Sequence, residues 1–374
     1  MSVCLILFAW GRLLRRSRNP CLFAPFFYFL CLFWRLLPIK KIIALVLVLA
    51  LAVSLLAACG QENTIGEANA AASQDDGKLR IVTTIFPEYD WVREILGDQA
   101  DRADLTMLLD NGVDLHSYQP TADDIAKIAD CDLFLYVGGE SDEWVDDALK
   151  ESANPDQKVI NLMDVLSDEI KEEEHVEGME AEEEEPISAE AEEEGPEYDE
   201  HVWLSLRNAE TLCTAITNAL GELDPDHKDV YTANASTYLQ KLDQLDQRYQ
   251  QTVDAAARNT LLFGDRFPFR YLVDDYGLTY YAAFAGCSAE SEASFETVSF
   301  LAKKVDELAL PCVLTIEGTQ HKIAETIVQN TKKKDQKVLT MDSMQATTSD
   351  DVKAGTTYLS VMEKNLSVLK EALN

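Results

Sequence analysis

Positive charge is what this sequence most lacks. Against 66 Asp and Glu residues stand only 32 Lys and Arg, a formal net charge of −34. Nucleic-acid binding rests on Lys and Arg neutralising phosphates, so that class of partner is excluded. Histidine is scarce, with five in the chain. None of the eight cysteines forms a CxxC pair, so there is no clustered zinc–thiolate motif. No HExxH occurs and nothing resembles a Ser-His-Asp constellation, so an exported metallohydrolase has no motif to stand on. We therefore expect a binding protein and not an enzyme. Apolar residues are not lacking. They make up 47% of 374 residues, enough to build a large core in roughly two domains.

The N-terminal region carries the clearest signal. Lys40 and Lys41 precede an apolar run from Ile42 to Ala58, broken only by Ser54, which stops at Cys59. That is a charged start, an apolar stretch and a small-residue cleavage site, as in an export signal. The run is short for a membrane span and the chain turns polar after it. Leu56-Ala57-Ala58-Cys59 also resembles the bacterial lipobox, which implies cleavage before Cys59, acylation of its thiol and tethering to the outer face of a cell membrane. The signal is thus residues 39–59. Residues 1–38, with Arg12, Arg15, Arg16 and Arg18 among aromatic and apolar residues, do not fit it. We read them as an over-extended gene start, the alternative being a first transmembrane helix. Residues 60–78, rich in Ala, Asn, Gln and Asp, read as a flexible tether.

From Leu79 onward, short apolar strands alternate with helical periodicity, which indicates parallel α/β sheets. Strands are expected at Leu79–Ile85, Leu105–Leu109, Leu133–Val137 and Val159–Met163. Residues 166–200 break the rhythm with a Glu-dominated block that cannot bury a core, expected to be a mobile, solvated loop. A helix follows at Asn208–Leu220, then a long one from about Lys228 to Ala257, with Leu239, Leu242, Leu245 and Tyr249 as its apolar stripe. Strands at Leu261–Phe263, Thr279–Phe284, Cys312–Ile316 and Lys337–Met341 alternate with helices, the last at Val352–Leu373. The predicted architecture is two small α/β lobes, 79–222 and 259–374, joined by a rigid helix within 223–258. Of the cysteines past the anchor, Cys287 and Cys312 are the pair to test for a disulfide, with separately buried thiols as the alternative.

Two histidines stand near strand ends, where open α/β sheets place ligands. His116 lies in Asp114-Leu115-His116-Ser117-Tyr118-Gln119-Pro120-Thr121, and His201 in Glu200-His201-Val202-Trp203-Leu204. Imidazole is the commonest neutral metal ligand. Together with Val82-Thr83-Thr84, Pro87 and the acidic insert between them, these segments resemble in order the zinc and manganese solute-binding lipoproteins of bacterial ABC importers. The resemblance covers essentially Leu79 to Asn374. It implies a metal cleft between two lobes with little hinge motion, an importer permease as partner, and His116 and His201 as metal ligands. It also implies a ligand at Asp342, after the final strand. Where the family places a His or Glu after the first strand of the second lobe, this chain has Arg266, which offers no lone pair. Asp265 is the candidate by a shift of one residue, or Arg266 ties down a carboxylate; Glu290, Glu292 and His321 are further candidates. Zinc is favoured, with manganese as the alternative, because two imidazoles and carboxylates suit either. The chain is expected to be a monomer. A surface adhesin or metal buffer of the same fold is the competing reading, and the acidic insert is either a cation-collecting flap or a plain solvated run.

Overall fold

A computed structural model of the chain describes residues 77–180, 197–288, 292–318 and 321–374. The extension 1–38, the signal 39–59 with Cys59, most of the tether and Glu290 lie outside the described residues. The described residues belong to one compact unit, Asp75–Asn374. Among them, no helix is long and apolar enough to cross a membrane.

The first lobe holds β1 (Leu79–Thr83), β2 (Ala103–Met107), β3 (Leu133–Tyr136) and β4 (Lys158–Asn161), all parallel, in the order β2-β1-β3-β4. Between and after them run α1 (Phe86–Leu96), α2 (Ala122–Asp130), α3 (Val145–Lys150) and α4 (Leu162–Leu166). β1 is β-branched and buried from Ile81 on, as a central strand covered on both faces must be. Pro87 ends it and sits inside the first turn of α1, where its missing N–H costs nothing. α5 (Leu206–Leu223) and the 27-residue α6 (Lys228–Asp254) lead to the second lobe.

There β5 (Thr260–Arg266), β6 (Thr279–Phe284), β7 (Cys312–Thr315) and β8 (Lys337–Thr340) repeat the same permutation, β6-β5-β7-β8, again parallel. The accompanying helices are α7 (Arg270–Tyr276), α8 (Phe295–Glu307), α9 (Lys322–Asn330), α10 (Ser349–Lys353) and α11 (Tyr358–Ala372). Both lobes therefore reverse strand order at their first strand. This is the topological switch at which open sheets hold ligands.

Three local expectations need correction. The buried stripe of α6 is Tyr231, Ala235, Tyr238, Leu242, Leu245 and Tyr249, with Leu239 only at its edge. Steps of four and three put Tyr238, not Leu239, on the inner face. The final helix is two helices, because Gly355 adopts a left-handed φ of 98° between α10 and α11. Residues 170–180 of the acidic insert are not a free loop. Glu172 bridges Tyr198, Glu180 N–H donates to Ala283 O at 2.9 Å, and Lys171, Arg270 and Lys304 pair with Asp274, Glu174 and Glu177. A strap with this many partners on the second lobe overrides its charge density.

The lobes share one continuous apolar core, which runs from Ile81 through the face of α6 to Leu373. α11 fastens it. Tyr358 N–H donates to Asp90 Oδ2 at 2.7 Å, Tyr358 OH donates to Trp203 O at 2.7 Å, and Tyr249 OH donates to Met362 O at 2.6 Å.

Candidate metal centre

His116 occupies a single 3-10 turn after β2, and Asp114 caps that turn by accepting the His116 N–H at 3.1 Å. His201 follows the strap and is fully buried. Although 85 residues apart, the two rings meet, with Nε2 to Nε2 at 3.2 Å and ring centroids at 5.1 Å. Two nitrogens bound to one tetrahedral zinc at about 2.0–2.1 Å lie about 3.3 Å apart, so the separation fits a shared ion without rearrangement.

Each ring is oriented from behind. His201 Nδ1 lies 3.0 Å from Asp199 Oδ1, and His116 Nδ1 lies 2.8 Å from Ser141 Oγ. A carboxylate only accepts, so Nδ1 of His201 carries a proton and Nε2 is the nitrogen left to face a metal. Gln345, with its amide turned to satisfy its neighbours, donates to Asp114 Oδ1 at 3.0 Å and places its oxygen 3.2 Å from His201 Nε2.

The charges are arranged asymmetrically. Burial, then the neighbouring His201, drives the pKa of His116 down to about 3. Burial acts against protonation at His201 too, but the Asp199 carboxylate outweighs it and raises that pKa. A metal that binds both nitrogens has to displace any proton held between them. Glu200, 2% exposed, receives the Ser141 N–H on Oε1 at 2.8 Å. Its Oε2 lies 3.4 Å from His116 Nδ1 and has no hydrogen-bond partner. Gly139, at φ 80°, is the residue that makes room, since a Cβ there would collide with the Glu200 carboxylate.

Among the described residues, the other candidates do not join the two rings in a group whose ligand atoms all lie within 4.8 Å of one another. Both oxygens of Asp265 accept backbone N–H groups, from Arg266 at 3.0 Å and Ile316 at 3.3 Å. Asp342 Oδ1 accepts the Met344 N–H at 2.9 Å, and burial, then Glu317, raises its pKa to about 6. His321 Nδ1 lies 2.9 Å from Thr315 Oγ1 at the start of α9, and Glu292 is exposed. A register irregularity in β5 between Phe263 and Arg266 accompanies the turning of Arg266 into the cleft, where it pairs with Asp114 at 2.6 Å. Among the described residues, the metal-capable group whose ligand atoms lie within 4.8 Å of one another is His116, His201 and Cys287. Cys287 is not among the ligands expected from sequence, where it stands as half of a disulfide or as a separately buried thiol. It follows β6 directly, and the strand-end rule that singled out the histidines also applies to it. The four described cysteines are all free, so Cys287 and Cys312 are not bridged.

The cleft opens on two sides of His116. One cavity of about 280 Å³ is lined by Ser141, Glu173, Glu200 and Cys287, and another of about 780 Å³ by Asp114, Asp265, Arg266 and Glu317. Glu140, Glu173, Glu197 and Glu200 line the smaller cavity, a field that draws cations inward, whereas the larger one sets its carboxylates beside Arg266 and Lys322.

Comparison with known proteins identifies the family. The ZnuA family profile, zinc-uptake complex component A periplasmic, matches residues 81–372. The high-affinity zinc uptake system protein ZnuA of Bacillus subtilis is 31% identical over 329 residues, 87% of this chain and 96% of that protein. The zinc-binding lipoprotein AdcA of Streptococcus pneumoniae is 32% identical over 300 residues, 80% of this chain. The match spans 56% of AdcA, about half of that longer protein. The crystal structure of the Zn(II)-bound ZnuA-like domain of Streptococcus pneumoniae AdcA matches with a TM-score of 0.61 at 29% identity, covering 79% of this chain and 99% of that domain. With two lobes of like topology and a pair of facing imidazoles in the cleft between them, the chain belongs to the ZnuA family of periplasmic zinc-uptake components.

Proposed function

We propose that this protein is an extracytoplasmic receptor that captures zinc and delivers it to the permease of an ABC importer. The observation that carries the reading is the 3.2 Å approach of two imidazole nitrogens, each ring oriented from behind, inside a carboxylate-lined cleft. His116 and His201 are the ligands in this reading. Family membership and the zinc-bound domain of similar fold support it. The apolar run ending at Cys59 supports a lipid anchor that keeps the receptor at the outer face of the membrane.

Asp342 and Asp265 have weaker support as ligands, since neither joins the group around the two rings. Arg266, paired with Asp114, acts as a fixed cation beside the site that braces the His116 turn.

Competitive loading of the purified protein with zinc, manganese, cobalt and nickel tests the reading. Zinc is expected to bind first. His116→Ala and His201→Ala should each weaken zinc binding by more than about 100-fold, beyond the usual effect of residues behind the ligands. Unchanged affinity in both variants would remove the assignment. Zinc uptake by cells lacking the protein, compared with cells adhering normally without it, separates a transport receptor from an adhesin.

A further inference from the structure

We propose that the Cys287 thiolate is a third zinc ligand, supplied by the second lobe, and that it biases the site toward zinc over manganese. This rests on the receptor reading above. At the end of β5 the second lobe offers Arg266, a permanent cation already paired with Asp114, which cannot ligate. The neighbouring strand end, after β6, instead brings Cys287 Sγ within 4.8 Å of the two imidazole nitrogens.

Three features place that sulfur. Gly286 packs its backbone against the buried ring, since a Cβ there would lie 3.1 Å from His201 Cε1, 3.2 Å from Asp199 Oδ2 and 2.9 Å from Phe267 O. No other residue lets the chain come this close. Cys287 N–H donates to Glu173 Oε1 at 2.9 Å, so the strap holds the next peptide in place. Independently of the cysteine, the buried Glu200 Oε2 has no hydrogen-bond partner and lines the same cavity, a polar group left over at a site built for a cation.

The distances permit coordination. Zinc–sulfur bonds of about 2.3 Å and zinc–nitrogen bonds of about 2.0–2.1 Å set a tetrahedral S···N edge of about 3.5 Å, so the sulfur has to move in by little more than about 1 Å. As the zinc–sulfur bond forms, the thiol proton leaves to solvent. A thiolate is a soft donor that favours zinc, whereas manganese prefers oxygen.

Cobalt(II) loaded onto the purified protein should give an intense near-ultraviolet sulfur-to-cobalt charge-transfer band, absent from Cys287→Ser. Zinc affinity of that variant should fall by more than about tenfold, with manganese affinity changed by less than about twofold. X-ray absorption of the zinc-loaded wild type, which does not depend on the variant folding, should find one sulfur at about 2.3 Å. A zinc shell of nitrogen and oxygen alone would overturn the thiolate and leave the receptor standing. An equal loss of manganese affinity would overturn the selectivity. Failure of the wild type to bind any transition metal would remove the receptor reading itself.

Discussion

Asp199 decides which nitrogen of His201 faces the cleft. Asp199→Asn keeps the shape but loses the charge that favours Nδ1–H, and zinc affinity should fall about 10- to 100-fold in chelator competition. A change within about twofold would show that the ring is fixed by packing alone. Away from the site, Glu88 is fully buried, with Oε2 accepting the Thr84 N–H at 2.8 Å and the Ile85 N–H at 3.3 Å. Burial, then the charge of Asp142, raises its pKa to about 8. The unfolded carboxyl titrates near its ordinary value of about 4.3. Between those values the folded state holds a proton that the unfolded state has lost, so stability falls as pH rises. Thermal unfolding should therefore occur at lower temperature at about pH 8 than at about pH 5, and Glu88→Gln should flatten that slope; parallel slopes in the two proteins would refute it. At this scale the sequence yielded the histidines because imidazoles at strand ends are rare enough to weigh one by one. It also offered Arg266 as a residue that ties down a carboxylate, but not Asp114 as that carboxylate, nor Cys287 as a neighbour of the rings, since both depend on loops from different lobes meeting in space.

Among the elements, α11 reaches furthest across the molecule. Tyr358 donates its hydroxyl to the carbonyl of Trp203, directly beside the metal-site segment. Tyr358→Phe leaves that buried carbonyl unpaired and should cost about 1–3 kcal/mol in urea unfolding with little change in m-value. A cost near zero would mean that the helix is held by apolar packing only. Strands and most helices were legible because short apolar or β-branched runs between turn signals, such as Leu133-Phe134-Leu135-Tyr136, leave few alternatives. The strap was not. Its eleven residues from Ile170 to Glu180 look like a solvated acidic run until Arg270 and Lys304 are seen to receive Glu174 and Glu177, and Lys171 to reach Asp274. Nor was the break at Gly355 foreseen, because one glycine in a helical pattern is often tolerated.

For the whole molecule, the shared core predicts one cooperative unfolding transition across both lobes. Two resolved calorimetric peaks would contradict it. Zinc that binds only the folded protein should raise stability by about 4 kcal/mol at 1,000 times its dissociation constant, moving that single transition upward as one. The two-lobed parallel architecture was readable from strand–helix alternation, whereas the welding of the lobes was not, for it depends on α6 and α11 burying residues from both at once. That weld has a consequence for signalling. A clamp through the middle works against announcing the cargo by folding shut like a jaw. In the receptor reading, the loaded form would be told from the empty one by touch at the rim, where two added positive charges quiet the mutual repulsion of Glu140, Glu173 and Glu197 above the buried Glu200.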